Sequence, residues 1–244
     1  MDYRVFPIWL VIGHFANILF MLFMVRSGLE VLSAFPKFYL SDDCPPGKEW
    51  LRLTRKVVSA DAAHPWSSLD EEAAWNPVIA LPGRKNLGLG RHWHFMSLQF
   101  WIANGAAYIA MLFVTGWWHT MVPTSWGVFP DAVRAVGYYF MFHLPPDIPG
   151  QPFNAVQMLS YFFVVFILAP FQILTGAAMS PSIIGRFPWY TRLFGGRQRA
   201  RSLHFLGMLA FVGFIVLHTI MVIINGLPDL WTVMVLGHVD AAPY

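Results

Sequence analysis

Four long stretches without a charged side chain limit the possible folds of this chain more than any other feature of its sequence. They contain 21, 39, 38 and 27 residues and are enclosed by Arg4 and Arg26, Arg91 and Asp131, Asp147 and Arg186, and Arg201 and Asp229. A helix that spans a bilayer needs about 20 apolar residues, and charges in hydrocarbon are costly. The pattern predicts an all-α integral membrane protein, a four-helix transmembrane bundle with spans near 6–26, 94–119, 154–179 and 203–226.

The composition excludes an ordinary soluble domain and narrows the choice of cofactor. Hydrophobic residues make up 57% of the chain and charged residues 12%, which is about half the charged share of a soluble protein. The single cysteine, Cys44, excludes an internal disulfide, a cysteine-ligated iron–sulfur cluster and a haem attached through C-x-x-C-H. Nine histidines are therefore the available ligands for a redox cofactor.

Residues 1–244 are interpreted as a single membrane domain with two notable connections. A long cap over 27–91, rich in Pro, Gly and charge, joins the first and second spans. A short amphipathic interfacial helix over 131–143 lies between the second and third. The first span resembles a signal peptide in position, but it lacks an A-x-A-like cleavage site and its apolar run is longer than roughly 7–15 residues. Pro170 is expected to kink the third span.

Lysine and arginine are distributed unevenly along the chain. Segment 26–91 holds nine of the 16 and segment 180–202 holds five, whereas the N-terminus, the loop 120–153 and the C-terminal tail hold two together. Basic segments remain preferentially on the cytoplasmic side of a membrane. The distribution predicts that 27–91 and 180–202 are cytoplasmic and that both termini lie outside.

Two histidines on the fourth span have a spacing that would serve two stacked haems. His204 and His218 are 14 residues apart, which returns the helix to within about 40° of the same face and separates the rings by ~21 Å along the axis. Each haem then needs a second axial ligand at its own depth. Spans two and four begin on the same side, so His94 and its neighbour His92 lie at the depth of His204. Span one begins on the other side, so His14 lies at the depth of His218.

The sequence therefore predicts two ligand pairs, His94 with His204 at the inner depth and His14 with His218 at the outer depth. His92 remains an alternative to His94, which is favoured as the deeper of the two. A single intramembrane histidine can also be a polar group that bridges helices, but four at matched depths favour metal ligands. The remaining histidines belong to no such set and are interpreted as surface residues: His64, His119, His143 and His238.

Ligation by two histidines leaves no open position on the iron, so such a haem carries electrons and does not activate oxygen. Arg91 and Arg201 lie near the inner pair and could offset the charge of haem propionates, although both could equally be positive-inside anchors. Gly13, Gly105 and Gly207 are expected to let a flat macrocycle approach the helices. No nucleophile, acid–base pair or metal-bound water is evident that would give the chain a catalytic site of its own.

The pattern of one histidine on the first span, one at the start of the second and His-x13-His on the fourth resembles the di-haem cytochrome b subunits of membrane-bound oxidoreductases. This family includes subunits of nickel–iron hydrogenase, formate dehydrogenase and thiosulfate reductase and is related to bacterial cytochrome b561. Three stretches are more similar to the branch that accompanies molybdopterin oxidoreductases, LGLGRHWHF (87–95), FHLPPDIPGQPFNA (142–155) and RFPWYTRLFGGRQRARSLHF (186–205). The predicted external termini depart from the formate dehydrogenase subunit, whose termini are cytoplasmic.

The resemblance implies two non-covalent haem b groups and a quinone as substrate, in the cytoplasmic membrane of a prokaryote. It also implies that electrons pass between the quinone pool and a catalytic partner, a molybdopterin, hydrogenase-type or iron–sulfur subunit, with membrane lipid around the chain and no nucleic-acid partner. Asn17, one turn after His14, is a candidate for the quinone site. Two alternatives stay open, a free-standing cytochrome b561-like electron carrier and a haem-free membrane anchor or transporter. Transport would favour inverted repeats or acidic groups in the spans, and the sequence shows neither.

Overall fold

Four long apolar helices dominate the structure, a computed structural model that describes residues 6–56, 87–141, 143–145, 152–224 and 231–236. Within these residues, the helices long and apolar enough to cross a membrane are α1 (Ile8–Ala34), α2 (Leu87–Val114), α4 (Ala155–Ala177) and α7 (Arg197–Ile224). Their exposed faces carry apolar side chains such as Ile12, Leu22 and Leu217, each at least 60% exposed. Lipid suits such a surface and water does not. The chain is a multi-pass integral membrane protein, and the predicted all-α membrane class is confirmed.

Shorter elements connect the long helices. After α1, the strands β1 (Lys37–Phe38) and β2 (Leu51–Arg52) form an antiparallel pair. The short helix predicted between the second and third spans is present as α3 (Val128–Phe140), three residues earlier than expected. Two further short helices precede α7, α5 (Pro181–Arg186) and α6 (Pro188–Arg192).

The helices α1, α2 and α7 each extend beyond the predicted span at one end, because charge marks a membrane boundary and not the end of a helix. α1 continues eight residues beyond 26 and ends at Ala34, since Pro36 disfavours a helical conformation at the residue before it. α7 begins at Arg197, directly after Gly195 and Gly196, which adopt positive φ angles of 74° and 111°. Both ends of the connection assigned to the cap, 27–34 and 87–91, are therefore helical.

A glycine ends α2, and a proline alters α4. α2 ends at Val114, five residues before the predicted position, because Gly116 adopts a φ of 77° and a 3-10 turn over Trp117–Thr120 follows. α4 widens to π geometry over Phe163–Leu168, which ends two residues before Pro170. Proline has no N–H to donate, and its ring displaces a carbonyl of the preceding turn, so a wider turn relieves the conflict.

The chain divides into two compact units, each formed from several segments. The first contains residues 1–14, 105–171 and 209–244, and the second contains 15–104 and 172–208. In the first unit, Val128 and Ala132 of α3 are buried against Met158 of α4. A second apolar cluster of that unit consists of Leu112, Met121 and Phe153 with the aromatic rings packed around them.

In the second unit, the described part of the cap is anchored on the first turns of α7. Phe38, which is 1% exposed, contacts Phe205 with ring centroids 4.6 Å apart. Trp50 donates a hydrogen bond of 2.8 Å from Nε1 to Ser202 Oγ. Residues 57–86 of the predicted cap lie outside the described residues.

The carboxylate of Asp42 caps α7 from the loop between β1 and β2. It accepts hydrogen bonds from the backbone N–H of Gln198, at 2.8 Å, and of Arg197, at 3.2 Å, where negative charge is favourable. We predict that Asp42→Ala lowers the free energy of unfolding by about 1 kcal/mol, measured as a lower thermal midpoint of the detergent-solubilised protein. Asp43→Ala is the matched control, because Asp43 bonds Ser41 instead of the helix. Equal midpoints for the two variants would contradict the capping role.

Candidate functional site

The structure brings the four predicted ligands together in two pairs. In the first unit, the ring of His14 on α1 faces the ring of His218 on α7, with centroids 6.2 Å apart and planes inclined at 63°. In the second unit, His94 on α2 faces His204 on α7, with centroids 6.4 Å apart and planes at 71°. The partners in each pair are those that helix depth predicted, and their role as iron ligands remains a prediction.

The ring separation in both pairs is the one expected for two imidazoles that share a metal ion. A hydrogen bond of about 2.9 Å between two ring nitrogens would hold the centroids at most ~5.2 Å apart. Two collinear metal–nitrogen bonds of about 2.0–2.1 Å would place them ~6.3 Å apart. The observed 6.2 and 6.4 Å fit the second arrangement and are too long for a direct bridge between histidines.

Each pair offers two protein ligands, which suits haem iron in particular. Across the described ranges, no three His, Cys, Asp or Glu side chains form a group that could hold a metal ion. A haem needs only two axial ligands from the protein, because the porphyrin supplies the other four. The donor sets therefore fit a haem with two imidazole ligands.

Aromatic packing between α1 and α2 orients His94 in the second unit. The rings of Phe20 and Phe100 stack with centroids 5.8 Å apart, and those of Phe23 and Trp93 stack at 5.7 Å. These contacts fix the rotation of α2 against α1. Because His94 follows Trp93 in the sequence, the same contacts set the direction of its side chain. The imidazole is thereby directed at the neighbouring helices and not at lipid.

A hydroxyl group contacts Nδ1 of each histidine in the second unit. Ser27 Oγ on α1 lies 3.1 Å from His94 Nδ1, and Thr175 Oγ1 on α4 lies 3.1 Å from His204 Nδ1. A ring nitrogen held in this way leaves Nε2 available for a metal, and such bonds fix the tautomer and orientation of ligand histidines. Neither hydroxyl was identified from the sequence.

A glycine follows each of these hydroxyl residues and lies against the same ring. A Cβ added to Gly28 would be 3.6 Å from His94 Cε1, and one added to Gly176 would be 3.2 Å from His204 Cε1. The two glycines let α1 and α4 approach the imidazoles closely. The available signal was a Ser-Gly dipeptide directly after the first predicted span and a Thr-Gly dipeptide inside the third, which is weak without the packing.

Aromatic rings surround His218 in the first unit. Phe214, one turn earlier on α7, stacks on His218 with centroids 5.6 Å apart and planes at 12°. Tyr161 of α4 meets the same imidazole edge-on at 6.3 Å. The two histidine pairs therefore have different immediate surroundings, hydroxyl groups in one unit and aromatic rings beside His218 in the other.

The other described histidines, His92, His119 and His143, belong to neither pair. His92 is exposed, and the ring that faces His204 is that of His94. His119 is exposed and stacks on Trp118 at 3.6 Å between centroids. His143 contacts the carbonyl of Met141 through Nδ1 at 2.7 Å, and the last two, His64 and His238, lie outside the described residues.

The two arginines predicted near a haem differ in their contacts. Arg201 donates hydrogen bonds to the carbonyls of Phe35 and Lys37, and its guanidinium lies 4.3 Å from the ring centroid of Phe38. Arg201 therefore fastens the cap to α7. Arg91 is exposed, with its guanidinium 5.8 Å from the ring of Phe35, and its role toward a propionate remains a prediction.

Two further residues that the sequence predicted near a cofactor, Asn17 and Gly207, form contacts between helices in the second unit. The side-chain oxygen of Asn17, the candidate for a quinone site, accepts a hydrogen bond of 2.8 Å from Trp101 Nε1. Gly207, expected beside a macrocycle, lies against the side chain of Gln172. A Cβ at Gly105 would meet no described atom within 4 Å, so nothing in the described chain opposes its predicted role.

Comparison with known proteins agrees with this arrangement. The family model described as prokaryotic cytochrome b561 matches residues 5–237, nearly the whole chain. The chain belongs to this family. It is a membrane haem protein of the cytochrome b561 type, and the resemblance predicted from the histidine pattern is confirmed.

The chain is also similar to a protein that is named as a reductase subunit. The chain is 24% identical over 242 residues to the "Putative protein-methionine-sulfoxide reductase subunit YedZ1" of Azospira oryzae, an alignment that covers 97% of this chain and 98% of the relative. The two proteins are therefore similar over their full lengths. No solved structure matches the chain significantly.

Proposed function

We propose that this cytochrome b561 family member holds two b-type haems, one between His14 and His218 and one between His94 and His204. The observation that carries the proposal is the ring separation of 6.2 and 6.4 Å in the two pairs, which suits two imidazoles on one iron. When bound, haem b supplies a one-electron iron couple. A haem held by two histidines would have no position open for oxygen or substrate, so the chemistry that it would supply here is electron transfer.

A reduced-minus-oxidised difference spectrum of the purified protein tests this proposal. We expect a b-type α band and, by extraction of the pigment, two non-covalent haems per chain. Correctly inserted protein without haem would overturn the proposal. One haem per chain would still be consistent with a b-type cytochrome but would refute the assignment of two haem sites.

We further propose that the chain passes electrons between a membrane quinone and a catalytic partner subunit of the molybdopterin type. The relative from Azospira oryzae is named as a subunit of a protein-methionine-sulfoxide reductase, and the inference to this chain is by analogy. The substrate chemistry would then belong to the partner, and this chain would supply the ligands, the apolar surroundings and the path for electrons.

Purification of the tagged chain from its native membrane tests the partner. We expect a second polypeptide and bound molybdenum, and we expect a quinol analogue to reduce the haems of the complex. A chain that is purified alone, without molybdenum, would instead support the free-standing electron carrier. Haems that no quinol reduces would refute the quinone assignment while leaving the partner intact.

The distribution of basic residues supports an orientation with cytoplasmic segments 27–91 and 180–202 and external termini. These segments hold 13 of the 16 Lys and Arg residues, and Arg26 directly precedes the first of them. Cys44 lies in the first segment and is partly exposed, so an impermeant maleimide should label it in inverted vesicles and not in intact cells.

Burial and the nearby Asp42 carboxylate raise the pKa of the Cys44 thiol. The thiolate should therefore form at a higher pH than in an ordinary cysteine, so labelling should be slow at about pH 7 and should still accelerate beyond about pH 9.

The control for this labelling is a thiol in the segment before α3. Thr124 is exposed, and Thr124→Cys in a Cys44→Ser background should be labelled in intact cells. Labelling of Cys44 itself in intact cells would reverse the proposed orientation. Neither result would alter the assignment of the histidine pairs, which does not depend on which face is cytoplasmic.

A further inference from the structure

The surroundings of His94 and His204 repeat one local arrangement from two different helices. Ser27 of α1 and Thr175 of α4 each place a hydroxyl oxygen 3.1 Å from Nδ1 of the facing histidine. Each hydroxyl residue is followed by a glycine that lies against the same imidazole. Both hydroxyl residues are buried, at 1% and 0% exposure, so water does not compete for the contact.

We infer that Ser27 and Thr175 are positioning residues that set the reduction potential of the haem held by His94 and His204. The inference rests on the proposed function, because it assigns the two hydroxyls a role toward that haem. It concerns one of the two haems only, since both contacts are to the histidines of the second unit.

The position of the imidazole proton determines the direction of each hydrogen bond. An imidazole that binds iron through Nε2 carries its proton on Nδ1, so a hydroxyl oxygen in contact with Nδ1 accepts a hydrogen bond from it. The backbone carbonyls of Met24 and Gln172 are further acceptors for His94 and His204. Both hydroxyl oxygens can accept, because their own protons are donated within their helices. Ser27 donates to the carbonyl of Phe23 at 2.6 Å, and Thr175 donates to the carbonyl of Gln172 at 3.2 Å.

A hydrogen bond accepted from Nδ1–H makes an imidazole a more basic ligand, which favours ferric over ferrous iron. Removal of either acceptor should therefore raise the reduction potential of this haem. The expected change is about threefold to tenfold in the reduction equilibrium constant, which corresponds to about 30–60 mV for a one-electron couple.

A redox titration of the intact haem-loaded protein tests the inference. Thr175→Val removes the hydroxyl at constant shape, Thr175→Ser retains it, and Ser27→Ala removes the other acceptor. The relevant wave is identified as the one that is lost in His204→Ala. Ser33→Ala and Thr115→Val are controls, because those hydroxyls donate to the helix carbonyls of Glu30 and Met111, at 2.7 and 2.6 Å.

We expect the wave of this haem to move to a higher potential in Thr175→Val and Ser27→Ala, and to stay near its original position in Thr175→Ser and in both controls. Loss of the haem from Thr175→Val but not from Thr175→Ser would also support the inference. An unchanged potential in Thr175→Val, or equal changes in Thr175→Val and Thr175→Ser, would overturn it. An unsubstituted protein without haem would instead refute the proposed function, so the two failures are distinguishable.

Discussion

Replacement of His204 or His94 by alanine is expected to remove one haem and leave the other, so that the haem content falls from two per chain to one. Each variant deletes one of two axial ligands, and the remaining imidazole cannot hold the iron in the same six-coordinate state. His14→Ala and His218→Ala should remove the other haem, because those rings form a separate pair in a separate unit. The measurement is haem per chain, with the lost species identified in the redox titration.

His92→Ala is the matched control for these variants, since His92 is exposed and two residues from His94. It should keep both haems at their original potentials. A second control replaces His204 by glycine and adds free imidazole, which should restore the lost haem if the defect is a missing ligand. Loss of both haems from every single variant, in protein that inserts normally, would contradict two independent sites.

The spans and the histidine pairs could be predicted because both depend on local regularities. Charge is excluded from hydrocarbon, so gaps between charges give the number of spans directly. A helix advances by a fixed rise and rotation per residue, so the spacing of His204 and His218 gives their depths. The alternating direction of successive spans then determines which histidine on another helix lies at each depth. The structure places the four rings in the corresponding pairs.

The contacts that support the site could not be predicted, because they join residues distant in sequence through the rotation of one helix against another. Ser27 is 67 residues from His94, and Thr175 is 29 residues from His204. The spacing of residues along one helix does not determine which face of that helix contacts an imidazole on another helix. The contacts of Ser27-Gly28 and Thr175-Gly176 with the imidazoles depend on these helix rotations, which are set by packing between helices.

The same limit explains why Arg201 has a role that its charge alone did not indicate. A basic residue at the start of a span is consistent with an anchor, with a partner for a propionate or with a structural contact. Its hydrogen bonds reach carbonyls 164 and 166 residues earlier in the chain, at Lys37 and Phe35. Such a contact depends on how the cap folds back on α7, and the composition of the cap does not encode this.

Gly176→Ala is expected to weaken retention of the haem between His94 and His204 by about tenfold, as disruption of a ligand's supporting contacts commonly does. The new Cβ would lie 3.2 Å from Cε1 and 3.6 Å from Nδ1 of His204, so the ring has to shift by a few tenths of an ångström. The ring is held at Nδ1 by Thr175 and would be held at Nε2 by iron, so a shift has to strain one of the two bonds. The rate of haem loss to an excess of an apo-acceptor measures the effect.

Gly28→Ala provides the comparison that separates this contact from a general effect of alanine in a helix. Both substitutions improve helix propensity by about 1 kcal/mol, but the Cβ at Gly28 would be 3.6 Å from His94 Cε1, an ordinary van der Waals contact. Gly28→Ala should therefore keep its haem, and the haem between His14 and His218 should be retained in both variants as an internal control. Equal haem loss from Gly28→Ala and Gly176→Ala would mean that helix spacing, and not the orientation of His204, controls retention. Haem loss from Gly176→Ala but not from Gly28→Ala would mean that a shift of a few tenths of an ångström in the His204 ring, caused by a side chain on α4, is enough to weaken the binding of iron by α7.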